Sequence, residues 1–101
     1  MKPLRFQREA TDELDEAVAW YNSQQAGLGL AFFGSVQLVL DSIIANPKSG
    51  FCKGKKSYRF CPTERFPYVV YWLEVNDAIR ILAIAHAKRR PNYWRHRISE
   101  Q

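Results

Sequence analysis

Two neighbouring runs constrain this chain more than any other feature of it. Tyr68–Leu73 reads YVVYWL, aromatic or β-branched at nearly every position and apolar on both faces. Such residues fit a pleated, buried surface, so the run is expected as a central strand. Ile79–His86 reads IRILAIAH and is expected as the next strand. Between them the Asn76-Asp77 pair signals a hairpin turn. A basic-aromatic tail follows at once, KRRPNYWRHR over residues 88–97.

Upstream the periodicity is different. Leu4–Gln7 alternates and predicts a short first strand. From Glu9 the apolar residues Ala10, Leu14, Ala17, Val18 and Tyr21 fall at helical spacing, and Asp12, Glu13, Asp15 and Glu16 crowd the early turns, where acidic groups suit the helix dipole. The polar run Asn22–Gln25 with Gly27 and Gly29 is expected to break this helix. A second helix is predicted from about Leu30 to Ala45, with Phe33, Val36, Leu40, Ile43 and Ile44 on its inner stripe and Asn46-Pro47 as its stop. Lys48–Ser57 (KSGFCKGKKS) reads as a basic loop, Tyr58–Cys61 as a strand and Pro62–Arg65 as a turn.

The predicted layout is α+β: an N-terminal strand, then a helical hairpin packed on one face of a four-stranded, mostly antiparallel twisted sheet. The 101 residues form one domain, 1–101, with no room for a second. Hydrophobic residues at 47% and charged residues at 25% exclude general disorder. No run resembles a membrane-spanning segment of ~20 apolar residues, and MKPLRFQREATDELDE lacks the apolar core of a signal peptide, so a cytoplasmic protein with no membrane partner is expected. Cys52 and Cys61, nine residues apart, are read as thiols of a reducing compartment; they make neither a disulfide framework nor a zinc site. His86 and His96 lack neighbouring ligands, so neither a metal nor a cofactor is expected.

The net charge of +5 is unevenly placed. Residues 1–45 carry three cations against six anions, and residues 46–101 carry twelve against four. The C-terminal half therefore suits a polyanionic or acidic partner.

The pattern AVAWYNSQQAGLGLAFFGSV, then RFPYVVYW, then IRILAIAHAKRRPNYWRHR resembles the RelE/ParE toxin superfamily of type II toxin–antitoxin modules, often labelled plasmid stabilisation proteins. The resemblance covers about Phe6 to Arg97, in order, and the FPY-V-Y strand and the ILA-A-H-x-x-R-x-P-x-YW-x-R ending match the ParE-like branch best. It implies two helices against a four-stranded sheet, and a cognate antitoxin wrapped around the toxin. RelE-like members cut mRNA in the ribosomal A site; ParE-like members resemble gyrase poisons.

The resemblance also implies where each activity would sit. A RelE-like ribonuclease site would use Arg59, Arg65, His86, Lys88 and Tyr93. In that family pattern Cys61 and Tyr68 stand where cations belong and Lys88 replaces an arginine, so the ribonuclease set is incomplete. His86 suits acid–base work, or else caps the strand end, hydrogen-bonded to a backbone carbonyl or an acidic neighbour. A ParE-like target surface would use Lys88, Arg89, Arg90, Tyr93, Trp94, Arg95 and Arg97, for nucleic acid, the gyrase–DNA complex or the acidic part of an antitoxin; alternatively Tyr93 and Trp94 fold back on the core and the arginines are solvated. Lys53, Lys55 and Lys56 would extend that positive face. Trp20, Tyr21, Phe32 and Phe33 are read as core and hairpin packing, with part of the Trp20–Phe33 surface left apolar for the antitoxin, Trp20, Tyr21 and Phe32 being the expected contacts.

Three functions follow. The first is a ParE-like growth-inhibiting toxin that poisons DNA gyrase. The second is a RelE-like, metal-independent endoribonuclease acting on ribosome-bound mRNA. The third is a non-toxic antitoxin-binding or co-repressor module. Operator DNA would be reached only through the antitoxin, and a homodimer or a hetero-oligomer with the antitoxin is compatible with each.

Overall fold

The computed structural model of the chain describes residues 1–52 and 57–99. Its elements run β1 (Leu4–Phe6), α1 (Arg8–Gln24), α2 (Leu28–Ala45), β2 (Tyr58–Pro62), β3 (Tyr68–Glu74), β4 (Ile79–His86) and a short 3₁₀ helix (Arg95–Ser99). The strands form one sheet in the order β1-β4-β3-β2. β1 runs parallel to β4, and the other two pairings are antiparallel. This is the expected α+β arrangement, with the two most apolar strands, β3 and β4, inside the sheet.

α1 buries Ala10, Leu14, Ala17 and Tyr21, the stripe its spacing predicts. It stays helical through Asn22–Gln24, where the polar run was expected to break it. The break comes at Gln25, whose backbone is extended, and at Gly27, whose φ of 87° few other residues adopt. α2 then begins at Leu28, so Gly29 lies inside the helix and breaks nothing. A Cβ on Gly29 would collide with the Val18 carbonyl oxygen and the Asn22 side chain. The glycine thus lets the two helices touch, and its N–H donates to Asn22 Oδ1 at 2.8 Å.

The inner stripe of α2 is Phe32, Val36, Val39, Leu40 and Ile43. Phe33, expected inside, is exposed. The helix is apolar nearly all round, with Asp41 its one charged residue, so no polar face sets its rotational phase. By length and composition alone α2 could cross a membrane, which corrects the reading that no segment resembles one. Its inner stripe is packed into the core.

The sheet has a core on each face. On the helix side, Val70, Trp72, Ile79, Ile81 and Ile84 meet α1 and α2. On the other side, Tyr58, Leu73, Leu82, Ala83 and Ala85 meet Trp94. A bulge prepares the second face. Tyr71 pairs with Ala83 but Trp72 pairs with Ile81, leaving Leu82 as the extra residue. Leu82 and Ala83 then face the same side.

The cover of that second face is the C-terminal segment, whose aromatic pair the sequence reading left either on a target surface or folded back on the core; for Trp94 the second holds. Trp94 is 1% exposed, with its ring 4.8 Å from Tyr58 and 4.4 Å from Tyr71. The two-sided apolarity of β3 and β4 requires such a cover, because an uncovered face would leave Leu73, Leu82 and Tyr71 in water.

Candidate functional site

The site begins with a short strand. β1 reaches only Phe6, and the Gln7 N–H makes the last bond on that side of β4, to the Ile81 carbonyl at 2.9 Å. Beyond this point no strand among the described residues lies on that edge of β4, so its backbone groups need other partners. Glu13 on α1 and Arg97 supply them. Glu13 Oε1 accepts the Ile84 N–H at 3.0 Å, and Arg97 Nη1 donates to the Leu82 carbonyl at 3.0 Å. The two side chains pair in a fork, Nη1 to Oε1 and Nη2 to Oε2, each 3.1 Å. The Tyr93 hydroxyl donates to Glu13 Oε2 at 2.6 Å.

This clamp pins the C-terminal segment across the open part of β4. Arg97 is 6% exposed, and its Nε has no hydrogen-bond partner among the described residues. Burial works against the Arg97 charge, but the bonds and charge of Glu13 outweigh it and raise the guanidinium pKa. Burial first, then the hydrogen bond and charge of Glu13, push the Tyr93 phenol far above its ordinary value. Tyr93 therefore stays protonated at any physiological pH.

Three of the seven residues expected on a target surface are thus structural. Trp94 is core, Arg97 is buried in its ion pair, and Tyr93 is tied to Glu13. The remaining four, Lys88, Arg89, Arg90 and Arg95, are exposed. Arg89 lies over the Tyr93 ring at 3.9 Å, and Arg95 approaches Tyr58 at 5.9 Å. A tight turn presents the first three. Arg89 N–H donates to the His86 carbonyl at 3.0 Å, Ala87 N–H to the Pro67 carbonyl at 2.7 Å, and Asn92 takes a φ of 63°. Lys53, Lys55 and Lys56, expected to extend this face, lie outside the described residues.

His86 sits at the base of the turn. Its Nδ1 accepts the Lys88 N–H at 3.0 Å, so it caps the strand end on a backbone N–H and not on the carbonyl or acidic neighbour expected, and its ring meets Tyr68 edge-on at 5.1 Å. Accepting at Nδ1 leaves Nε2 to carry the proton in the neutral ring. His86 and Arg89 form a wall between two hollows. One, about 280 Å³, opens toward α1 and includes Glu16, Trp20 and Tyr68. The other, about 170 Å³, opens toward Tyr71, Arg90 and Asn92.

The ribonuclease set is not brought into one cluster. Arg59 pairs with Trp72, whereas His86 pairs with Tyr68. Four residues along β3 separate the two, roughly 13 Å at strand rise. Arg65 occupies the β2–β3 loop with a φ of 72° and stacks over Phe66 at 5.3 Å. Lys88 joins His86 only through its backbone. Tyr68, which stands where the family pattern has an arginine, points into an aromatic cluster 4.8 Å from Phe32, and burial raises its pKa. Cys61 is a half-buried thiol whose pKa burial also raises. Among the described residues, no group of three or more His, Cys, Asp or Glu could hold a metal ion.

Two of the three expected antitoxin contacts are also core. Phe32 is 0% exposed, and Tyr21 packs between it and Phe66 at 5.2 and 4.9 Å. Trp20 alone is on the surface, at 57%. Leu30 and Phe33 on α2 are also exposed and fall within the Trp20–Phe33 surface expected to stay apolar; the exposed apolar residues that sequence reasoning missed are Leu38 on α2 and Phe51. The signal for the α2 group was present: a helix with one charge must leave apolar residues outside in any orientation.

No protein-family model and no curated protein sequence matches this chain. Among solved structures, it is similar to a chain in the chromosomal ParDE TA system from P. aeruginosa, with a TM-score of 0.74 and 21% identity over 87% of this chain and 98% of that one. The shared property at this identity is the fold alone.

Proposed function

We propose that this chain is the toxin of a type II toxin–antitoxin module of the ParE-like branch, acting in the cytoplasm and neutralised by a cognate antitoxin. The structural likeness to a chain of a ParDE system supports that class. We further propose that it inhibits growth by binding DNA gyrase, with the turn Lys88–Arg90 and nearby Arg95 as the contact surface. The observation that carries the binding mode is the state of the C-terminal segment. The clamp of Glu13, Tyr93 and Arg97 spends its chemistry on holding the segment down, and what it holds outward is a turn of three consecutive cations. A fixed, cationic turn suits docking on a nucleoprotein, where phosphate contacts dominate affinity.

Bond-breaking is less well served. Metal-free RNA cleavage needs a base, cations at the phosphate and an acid within reach of one another. Here Arg59 is far along the sheet, and the Tyr93 proton is held by Glu13. The test is a pair of assays on the purified chain. In a gyrase supercoiling and cleavage assay, accumulation of cleaved DNA is expected, and it should fall at least tenfold in Arg89→Ala/Arg90→Ala. Cutting of ribosome-bound mRNA with no effect on gyrase would replace this reading with the RelE-like one, and His86 would become the residue to pursue.

A further inference from the structure

We propose that α2 carries a homodimerisation face, on which a second copy of this chain packs its own α2 antiparallel about a two-fold axis at Gly34. The face is the outward side of the helix. Leu30 is 73% exposed and Leu38 is 64% exposed, and they lie four residues before and after Gly34 on one row of the helix. Around Gly34 there is open space, with nothing within 4 Å of where a Cβ would stand. A large–small–large row of this kind is its own complement when reversed. An antiparallel axis at position 34 seats Leu30 against Leu38 of the second copy, and Leu38 against its Leu30. The missing side chain at the centre lets the helices come close.

Charge selects a second copy over an unrelated partner. The only ionised side chain on α2 is Asp41. The same symmetry carries position 41 onto position 27 of the second copy. Gly27 is the N-cap of α2 and provides no side-chain cap. The Asp41 carboxylate of each copy thus comes to the electropositive helix start of the other, where the neutral Asn22 side chain caps the Gly29 N–H but brings no charge, twice per dimer. Asp41 also accepts from Gln37 at 2.9 Å on its own helix, which holds it on this face. Nothing else charged stands on α2 to repel its copy or to recognise a charged stranger. Two crossing helices bury less than a standard interface, so the dimer is expected at micromolar rather than nanomolar concentration.

The experiment combines mass and register on the full chain. Light scattering across the micromolar range should show a monomer passing to a dimer. Gly34→Glu, which brings two carboxylates together at the axis, should hold it monomeric, and Asp41→Lys should weaken the dimer severalfold. Register is read by oxidation in a Cys52→Ser/Cys61→Ser background. Gly34→Cys should link to itself, and Leu30→Cys should link to Leu38→Cys in a mixture but not to itself. Circular dichroism melts of each variant confirm the fold, which exposed positions on a helix surface should not disturb. A chain that stays monomeric throughout the range overturns the proposal and leaves the face to a different protein. So does a dimer that survives Gly34→Glu unchanged, or in which Leu30→Cys links to itself.

Discussion

The two faces of the sheet are closed by different means. The helix side is covered by 35 residues of α1 and α2, whose stripes interlock over a broad apolar surface. The other side is covered by one irregular segment, anchored by a single buried tryptophan and a buried ion pair. The first cover is redundant, since many similar contacts share the work. The second concentrates its stability in a few atoms, and the exposed cationic turn depends on them. The surface proposed for function is therefore presented by the less redundant half of the core.

The largest effects should come from breaking the clamp or removing Trp94. Arg97→Met leaves the half-buried Glu13 beside Ile84 without its counter-charge; breaking a fully buried pair costs about 3–5 kcal/mol, so a loss somewhat below that is expected. Chemical denaturation of the single and paired variants checks this. Glu13→Gln combined with Arg97→Met should be less damaging than the sum, with a coupling of about 0.5–3 kcal/mol. Additive losses would show that the pair is not a unit. Trp94→Ala should cost ~3–5 kcal/mol by leaving a cavity against Tyr58 and Tyr71. Hydrogen exchange should then show β4 and the C-terminal segment losing protection before α1 and α2. Uniform loss would mean that the two faces do not differ as described.

A smaller effect separates the faces by pH. The Tyr93 pKa is raised in the folded chain. A raised pKa means the unfolded phenol ionises first, so the stabilisation is complete below the ordinary tyrosine value of about 10 and declines as pH climbs above it. Tyr93→Phe should flatten part of that alkaline decline in thermal melts. The rest should remain, because burial also raises Tyr21, Tyr68 and Tyr71. The smallest effect on stability is expected at the turn itself. Arg89→Ala/Arg90→Ala should change unfolding free energy by roughly 0.5 kcal/mol or less per site, as exposed substitutions do, while reducing toxicity. A large stability loss there would make the turn structural.

How far the sequence was legible follows the same division. β4 has the predicted bounds and β3 is one residue longer, because β-branched and aromatic runs state their own geometry. The α1 stripe was readable because its other face is acidic. The α2 stripe was offset at Phe33, because a helix apolar all round carries no phase. In the C-terminal segment the fold-back of Trp94 was one of two readings, but the burial of Arg97 was in neither, for a deeper reason. Locally, KRRPNYWRHR is a basic surface, and only a partner 84 residues away, Glu13, turns Arg97 into a buried anchor. That partner is needed because β1 is three residues long and leaves the far part of one β4 edge without a strand among the described residues. An unpaired strand edge is a property of topology, so no window of sequence displays it.

The most direct test of the account is induced expression in a bacterial host, with labelled thymidine and labelled methionine followed separately for the natural chain and for Arg89→Ala/Arg90→Ala. The account predicts that thymidine incorporation fails first, that cells form filaments, and that the double variant restores growth while remaining folded. Methionine incorporation failing first, with the variant as toxic as the natural chain, would contradict it.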